Sequence, residues 1–454
     1  MKRSRKPRVA MVSLGCAKNL VDSEIILGSA IEKGFDVTND TTLADIVVIN
    51  TCAFIGDAKE ESIDAILSAA QFPQQKLVVA GCLPQRYRAE LATEIPEIDA
   101  FLSLDDVANA GKLFHNLLSS TDGKSCSIHL RVPPSRYLPD HDTPHFRLTP
   151  PHTAYVKIAE GCNHPCSFCI IPQIRGRHRS RTIESVVAEV RGLVKAGVRE
   201  INLISQDTTF YGMDLWTSRA NVRQPVVRGH GPNIADLLDA LGEIEGDFWI
   251  RLLYTHPAHW GDALIESIAR NPRVVPYVDI PLQHIHPAML QAMKRETSRK
   301  HIEEWLRKIR AGIPDVAIRT TFIVGFPGET QEHFESLLDF IEETRFDRLG
   351  VFKYSREENS RAAALPAQVP ERTKNARLRR AMALQQRIAS ELAAARIGQT
   401  LRVLTETPLT ARSAYDAPDV DGRVLLSSEA PVGKFLNARI TGTKLYDLIG
   451  EVAV

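Results

Sequence analysis

The sequence predicts an α/β protein of several domains: a doubly wound N-terminal domain, a partial (β/α) barrel and a small all-β C-terminal domain. At 454 residues the chain is too long for one ordinary core. Short apolar runs alternate with amphipathic stretches over most of its length, which is typical of parallel βα units. From Thr400 to Val454 the alternation gives way to short strands and turn residues, which indicate an all-β domain.

The elements follow from hydrophobic periodicity. In residues 1–130, the runs 9–14, 46–50 and 76–80 predict buried parallel strands, and 19–32 and 59–70 predict the helices between them. Residues 131–152 form a Pro-rich linker. Residues 153–385 hold six βα repeats, so the C-terminal ends of their strands should form the working face. Residues 386–454 comprise the tail of a long helix (371–397) and the β-domain. The predicted barrel strands are 154–159, 201–205, 249–253, 277–281, 318–324 and 349–354.

Composition narrows the class of protein. Lys and Arg total 56 and Asp and Glu total 55, so net charge alone suggests neither a nucleic-acid nor a membrane partner. No run approaches the roughly 18 apolar residues of a spanning helix, and the N-terminus lacks a signal-peptide core, so we expect a cytoplasmic protein. Seven cysteines in such a chain favour metal or catalytic sulfur over disulfides.

Three cysteines follow the first predicted barrel strand. Cys162, Cys166 and Cys169 have the spacing C-x3-C-x2-C. Three thiolates this close can hold three irons of a 4Fe-4S cluster and leave the fourth iron open to a substrate. The alternatives are a structural zinc site completed by His164, or buried cysteines with no ligand role. Zinc is disfavoured because no second cysteine pair follows.

A second set of cysteines is visible only through the predicted strands. Cys16, Cys52 and Cys82 each follow the C-terminal end of a parallel strand, so all three should emerge at one edge of the sheet. A metal or cluster site at this edge and ordinary packing of buried cysteines are both open interpretations. Cys126, in the approach to the linker, has no partner at ligand spacing and is interpreted as a bystander.

Several segments together resemble the radical S-adenosylmethionine (SAM) methylthiotransferases, and within them the RimO branch. The resemblance covers nearly the whole chain in order, and the C-terminal domain looks like the TRAM domain of that family. Ala17 and Ala53 differ from the residues that are frequent at these positions in the family. Each lies next to a cysteine, but neither difference removes a cysteine. The segments that carry the resemblance are Ser13–Glu24, Asn50–Phe54, Gly81–Leu83, Glu160–Ile171, Ile204–Thr208, Asp279–His284, Phe322–Glu329 and Asp416–Gly422.

The resemblance implies a function. Two 4Fe-4S clusters are expected, one on each cysteine set, and SAM is used twice: as a methyl donor and as the source of a radical that takes hydrogen from an unactivated carbon. The implied product is an aspartate of ribosomal protein S12 carrying a methylthio group on its β-carbon. The implied partners are that protein or the small ribosomal subunit and a reductant such as flavodoxin or ferredoxin, and the enzyme is expected to be a monomer.

Two rivals remain at this point. A tRNA methylthiotransferase performs the same chemistry on adenosine, and an iron–sulfur scaffold would perform none. The charges of residues 396–454 sum to zero, which favours a protein substrate because RNA-binding domains normally carry a basic excess. A scaffold is disfavoured because the fourth iron would be open to a substrate and because two strand ends, described next, resemble SAM-binding segments of the family.

Residues at two strand ends are predicted to contact SAM on the strength of the resemblance. Gln206 and Asp207 would meet its methionyl part, although a helix cap or hydrogen-bonded turn would explain them as well. The end of the strand predicted at 318–324 would contact the adenine side of SAM. The alternative is an ordinary turn, because Gly-Pro turns are common at strand ends. This strand end consists of Gly325, Pro327, Gly328 and Glu329.

Two charged groups are predicted to contact the substrate. The basic loop with Arg175, Arg177 and Arg179 follows the cluster motif and would attract an acidic target or the SAM carboxylate, the alternative being a solvated loop. An acidic group in the C-terminal domain would meet a basic protein. It consists of Asp416, Asp419 and Asp421.

Overall fold

The N-terminal domain is a doubly wound α/β sheet. The structure, a computed structural model, describes residues 5–119, 133–218 and 220–453; Cys126 lies outside them. All neighbouring strands are parallel in the order β2-β1-β3-β4-β5. The strands are β1 (Arg8–Ser13), β2 (Asp36–Thr38), β3 (Ile46–Thr51), β4 (Lys76–Gly81) and β5 (Ala100–Leu102), and the helices are α1 (Ala17–Glu32), α2 (Gly56–Ala70), α3 (Cys82–Glu94) and α4 (Ala110–Ser119).

Helices cover both faces of this sheet. Apolar residues alternate between the faces, so that Val9 packs with α1 and α4 while Ala10 packs with α2 and α3. Every residue of β3 is buried, as expected for a central parallel strand. The carboxyl ends of β1, β3 and β4 therefore meet at one edge. The predicted fold class is confirmed for this domain.

The middle of the chain forms a partial barrel of six parallel strands. Backbone hydrogen bonds join its two three-stranded halves, for example from Thr255 N to Asp279 O at 3.0 Å. Among the described residues the first and last strands do not pair, so the barrel is open on one side. Its strands are β6 (Thr153–Lys157), β9 (Glu200–Ile204), β10 (Trp249–Leu252), β11 (Tyr277–Asp279), β12 (Ala317–Val324) and β13 (Arg348–Lys353); a small ribbon of β7 (Ala159–Glu160) and β8 (Arg179–Ser180) lies beside them.

Helices form the outer layer of the barrel. They begin at ordinary capping residues: Thr182 caps one helix, and Thr330 with His333 forms a capping box on another. The last helix runs from the barrel to the C-terminal domain. The helices are α5 (Ile171–Arg175), α6 (Ile183–Lys195), α7 (Ile234–Gly242), α8 (Asp262–Arg270), α9 (Pro287–Ala292), α10 (Arg299–Gly312), α11 (Gln331–Thr344) and α12 (Glu371–Ala394).

The C-terminal domain is a small closed β-barrel, as predicted. Val403, Ala411 and Ala438 are fully buried in its core. No helix in the described ranges is both long and apolar enough to cross a membrane. The strands of the C-terminal domain are β14 (Thr400–Thr407), β15 (Thr410–Ser413), β16 (Val424–Leu426), β17 (Phe435–Lys444) and β18 (Asp447–Val452).

The three domains share one core around the inside of the open barrel. Tyr155 and Tyr277 of the barrel pack with Val21 of α1 and Ala417 of the C-terminal domain. The buried carboxylate of Glu200 receives Arg251 Nε at 3.0 Å and Arg412 Nη1 at 2.9 Å. The domains are therefore tied together by charge as well as by apolar contact.

The predicted acidic surface of the C-terminal domain is wrong, because two of its three carboxylates are buried against the barrel. The side chains of Asp416 and Asp421 are 3% and 2% exposed. Asp416 accepts from Arg348 Nε at 3.1 Å, and Asp421 accepts from Tyr277 Oη at 2.6 Å. These carboxylates fasten the C-terminal domain to the barrel.

Asp419, the third member of that acidic group, is exposed. It accepts a 3.1 Å hydrogen bond from Tyr155 Oη. One exposed carboxylate is too little to form the predicted patch.

Candidate functional site

Cys16, Cys52 and Cys82 converge at the carboxyl edge of the N-terminal sheet, as predicted. Cys16 precedes α1, Cys52 follows β3, and Cys82 is the first residue of α3. Gly15, with φ +91°, brings its loop against Cys52: a Cβ at position 15 would lie 2.8 Å from the Cβ of Cys52. Only glycine fits this position without strain.

The electrostatics of these thiols suit a metal centre. Burial, followed by the charge of Cys82, raises the pKa of Cys52 to about 12. Burial also raises the pKa of Cys82, although Arg175 opposes it. The thiols of Cys52 and Cys82 are therefore protonated on their own and give up their protons when a cation binds. The donor set, three cysteine sulfurs, fits an iron–sulfur cluster.

Cys162, Cys166 and Cys169 line one cavity of about 900 Å³ beyond the first barrel strand. Burial, followed by the charge of Cys166, raises the pKa of Cys169 to about 12. N–H groups point at the sulfurs: Ile171 N lies 3.4 Å from the Sγ of Cys169, and Arg295 Nη1 lies 3.5 Å from the Sγ of Cys166. Such donors are a feature of iron–sulfur sites, so the residues fit a cluster.

His164, within the same loop, is hydrogen-bonded to a carboxylate through each of its two ring nitrogens. Its Nε2 lies 2.8 Å from Asp207 Oδ2, and its Nδ1 lies 2.6 Å from Glu296 Oε2. Burial lowers the pKa of His164, but these two hydrogen bonds outweigh it and raise the pKa to about 9. The zinc alternative is thus disfavoured, and His164 anchors the cysteine loop to two other segments.

Asp207 is one of the two carboxylates that hold His164 in place. Burial would raise its pKa, but His259 and His164 hold it well below the usual range. His259 Nδ1 lies 2.7 Å from Gln224 O, while the ring of His256 stacks on that of His164 with centroids 3.6 Å apart. Sequence reasoning missed His256, His259 and Glu296, and the only available signal was the pair of histidines three residues apart.

Gln206 connects the end of β9 to the cysteine loop. Its Oε1 accepts from Gly161 N at 2.7 Å, and its Nε2 donates to Glu160. The φ of Gly161 is +86°, so the turn into Cys162 requires glycine. Gln206 thus lies beside the turn that leads into Cys162, and its contact with SAM stays a prediction.

Arg175 is the link between the two cysteine sites. Its Nη2 lies 2.9 Å from Asp22 Oδ2 and 3.6 Å from the Sγ of Cys82, and its Nη1 lies 3.1 Å from Glu160 Oε2. Lys157 completes this ion cluster, and all four charged side chains are nearly fully buried. Burial would raise the pKa of Glu160, but Arg175 and Lys157 lower it to about 2.

The basic loop is therefore not a uniform substrate contact. The prediction for Arg175 is wrong because the side chain is 2% exposed and fully engaged. Arg179 donates to Tyr137 O at 3.0 Å and to Arg175 O at 3.1 Å, so it holds the loop. Arg177 is exposed and lines the cysteine cavity, and it remains a candidate for substrate contact.

The Gly325–Glu329 turn ends β12 as predicted. Gly325 has φ +73°, and its N–H donates to the buried carboxylate of Glu329. Arg377 of α12 donates to the same carboxylate at 2.9 Å. Glu329 thus shapes the turn, and the backbone around Gly325, Pro327 and Gly328 is the part left for a ligand.

Three domain families match the chain in the order of its domains. Residues 8–103 match Uncharacterized protein family UPF0004, residues 156–341 match the Radical SAM superfamily, and residues 397–453 match the TRAM domain. The predicted fold class and the predicted use of SAM with an iron–sulfur cluster are confirmed.

A solved structure shares the fold. The radical SAM methyltransferase TsrM from Kitasatospora setae aligns with a TM-score of 0.55 at 14% identity, over 77% of this chain and 75% of that chain. At this identity the likeness concerns architecture alone.

Full-length relatives identify the family. A protein of Opitutus terrae is 55% identical over 97% of this chain and 96% of its own length, and one of Akkermansia muciniphila is 51% identical over 98% and 99%. Both are named ribosomal protein uS12 methylthiotransferase RimO. The protein is thus a radical SAM methylthiotransferase, and the chain belongs to the RimO family.

Proposed function

We propose that this enzyme places a methylthio group on the β-carbon of one aspartate in ribosomal protein uS12, using two three-cysteine clusters and two molecules of SAM. The full-length relatives named ribosomal protein uS12 methylthiotransferase RimO support the substrate. The single structural observation that supports joint action of the two cysteine sites is the bridge formed by Arg175. One guanidinium contacts Cys82 of the N-terminal site and Glu160, which precedes the Cys162 loop. This bridge supports the proposal that the two cysteine sites act as one reaction centre.

Each site has the residues to hold a 4Fe-4S cluster. Cys162, Cys166 and Cys169 would hold the SAM-binding cluster, and Cys16, Cys52 and Cys82 would hold a second. When bound, these groups supply the radical that removes hydrogen from carbon and the methylated sulfur that replaces it. A reductant such as flavodoxin or ferredoxin would supply electrons.

The protein's own part is positioning. Gln206 and the 325–329 turn lie at the ends of β9 and β12, where they would hold SAM beside the cysteine cavity. Arg177 would pair with the carboxylate of the target aspartate, because it is exposed and has no ion-pair partner among the described residues. A charge-assisted pair of this kind fixes the β-carbon relative to the cluster.

A protein substrate also implies where the enzyme works. We expect it to act as a monomer in the cytoplasm, where uS12 is made and assembled into the small subunit. The alternative is a tRNA substrate with the same chemistry. An experiment that examines both products distinguishes it from a uS12 substrate.

The deciding experiment is mass spectrometry of both products. Reconstituted enzyme, SAM, sulfide and dithionite are incubated anaerobically with purified uS12 or with total tRNA. We expect a methylthio adduct on one aspartate of uS12 and none on tRNA nucleosides. An adduct found only on tRNA would overturn the proposal.

A further inference from the structure

A groove of about 620 Å³ lies between α2 and α3, on the sheet face opposite α1 and α4. Each helix contributes a stripe of residues at helical spacing, and the side chains of Ile63 and Leu67 are left 37% and 46% exposed. An apolar stripe on a helix normally covers a neighbouring element. The apolar floor of the groove is formed by Ile63, Leu67, Leu83, Tyr87, Leu91 and Ile95.

The rim of this groove is acidic. Four exposed glutamates surround it, and none of them pairs with a cation in the described part of the chain. The one lysine of the rim, Lys59, is already held by Glu357 at 3.0 Å. The groove therefore offers uncompensated negative charge around an apolar floor. The glutamates are Glu60, Glu90, Glu94 and Glu358.

The groove and the cysteine cavity are lined by neighbouring residues of one segment. Residues 355–361 cross from the barrel to the N-terminal domain, where Ser355 accepts from Gly56 N at 3.1 Å. Within this segment Glu358 lines the groove, whereas Asn359 and Arg361 line the cavity of the three barrel cysteines. One extended polypeptide could therefore occupy both.

We propose that the groove binds a positively charged, amphipathic segment of the substrate protein while its target residue is in the cysteine cavity. The inference rests on the proposed function, and it adds where the rest of the substrate docks. Apolar side chains of the segment would fill the floor, and its Lys and Arg side chains would meet the four glutamates. Ribosomal proteins are commonly basic because they bind the phosphate backbone of rRNA.

Docking here should act on substrate binding and not on the chemical step. The contacts would be equally strong in the ground state and the transition state, since the groove does not touch the reacting atoms. Losing such contacts raises KM and leaves kcat unchanged. Charge-based docking also weakens as salt is added.

The test compares two charge reversals of equal size. Glu60→Lys with Glu94→Lys changes the groove, and Glu245→Lys with Glu266→Lys changes exposed, unpaired glutamates of the barrel exterior. Each reconstituted enzyme is assayed on full-length uS12 and on a short peptide around the target aspartate that lacks basic flanks. Iron content and circular dichroism check that each variant is folded and loaded.

For the groove variant we expect KM for full-length uS12 to rise about tenfold at low salt, with kcat and the peptide reaction unchanged. The control variant should match wild type on both substrates. An unchanged KM for uS12, or an equal rise in the control, would overturn docking in the groove. If wild-type enzyme modified neither uS12 nor the peptide, the proposed function itself would fail, which is a distinguishable result.

Discussion

Arg175 Nη2 lies 2.9 Å from Asp22 Oδ2 although the two residues belong to different domains. The pair is buried, so neither charge has water to compensate it if the other is removed. It also holds α1, which begins beside Cys16, against α5, the short helix that follows Cys169. A buried ion pair is thus one of the contacts that hold the two cysteine sites together.

Removing this cation should destabilise the protein. Replacing Arg175 with Met leaves Asp22 and Glu160 with fewer counter-charges, so we expect a loss of about 3–5 kcal/mol in the free energy of unfolding. Urea denaturation of the cluster-free protein, followed by circular dichroism, measures it. Arg177→Met is the matched control and should stay within about 0.5 kcal/mol of wild type. Unchanged stability of the Arg175 variant would revive its interpretation as a substrate contact.

Iron content should report the two cysteine sites separately. The anaerobically reconstituted chain should bind roughly eight irons, and replacing either cysteine triplet with Ala should leave roughly four. SAM cleavage to 5′-deoxyadenosine should vanish with Cys162, Cys166 and Cys169 but persist in part without Cys16, Cys52 and Cys82. Colorimetric iron analysis and chromatography of the nucleoside provide the two readings. Full iron retention in the N-terminal variant would refute the second cluster.

Asp416 should matter for folding and not for charge steering. Replacing it with Ala leaves Arg348 without its carboxylate at the contact between the barrel and the C-terminal domain. We expect a loss of about 3 kcal/mol, seen as a lower melting temperature. Glu429→Ala, at an exposed position of the same domain, should be neutral. A variant that melts like wild type but binds uS12 more weakly at low salt would restore the acidic-surface interpretation.

Glu24 should make stability depend on pH. Burial raises its pKa from 4.5 to about 7, despite the hydrogen bond from Leu148 N at 2.8 Å. A carboxyl whose pKa is higher in the folded state makes folding less favourable as the pH rises from 4.5 to 7. Glu24→Gln should therefore stabilise the cluster-free protein by up to about 3 kcal/mol above pH 7 and change little near pH 4. Parallel pH–stability curves for the two proteins would contradict this.

Much of the architecture was predictable because it depends on local periodicity. All six predicted barrel strands are present, and the helix predicted at 19–32 is observed at Ala17–Glu32. The convergence of Cys16, Cys52 and Cys82 also followed from the sequence, because the carboxyl ends of neighbouring parallel strands share one edge. Short elements such as Asp36–Thr38 carry too few residues to show a period and were missed.

The partners of charged residues could not be predicted in this way. Arg175 looks like its neighbour Arg177 in sequence, yet one is buried between two carboxylates and the other is exposed. Asp416 looks like part of an acidic turn, yet it meets Arg348 of a different domain. Whether a charge faces solvent depends on which distant element packs over it, and periodicity carries no such information.

The Glu200 contacts also make the barrel depend on a part of the chain that is synthesised much later. Glu200 and Arg412 are 212 residues apart, so the carboxylate is synthesised long before one of its two arginines. Until Arg412 has been synthesised, Glu200 has only Arg251 as a counter-charge, and this end of the barrel lacks the C-terminal domain that packs against it. We therefore expect the barrel to reach its full stability only after the C-terminal domain has docked.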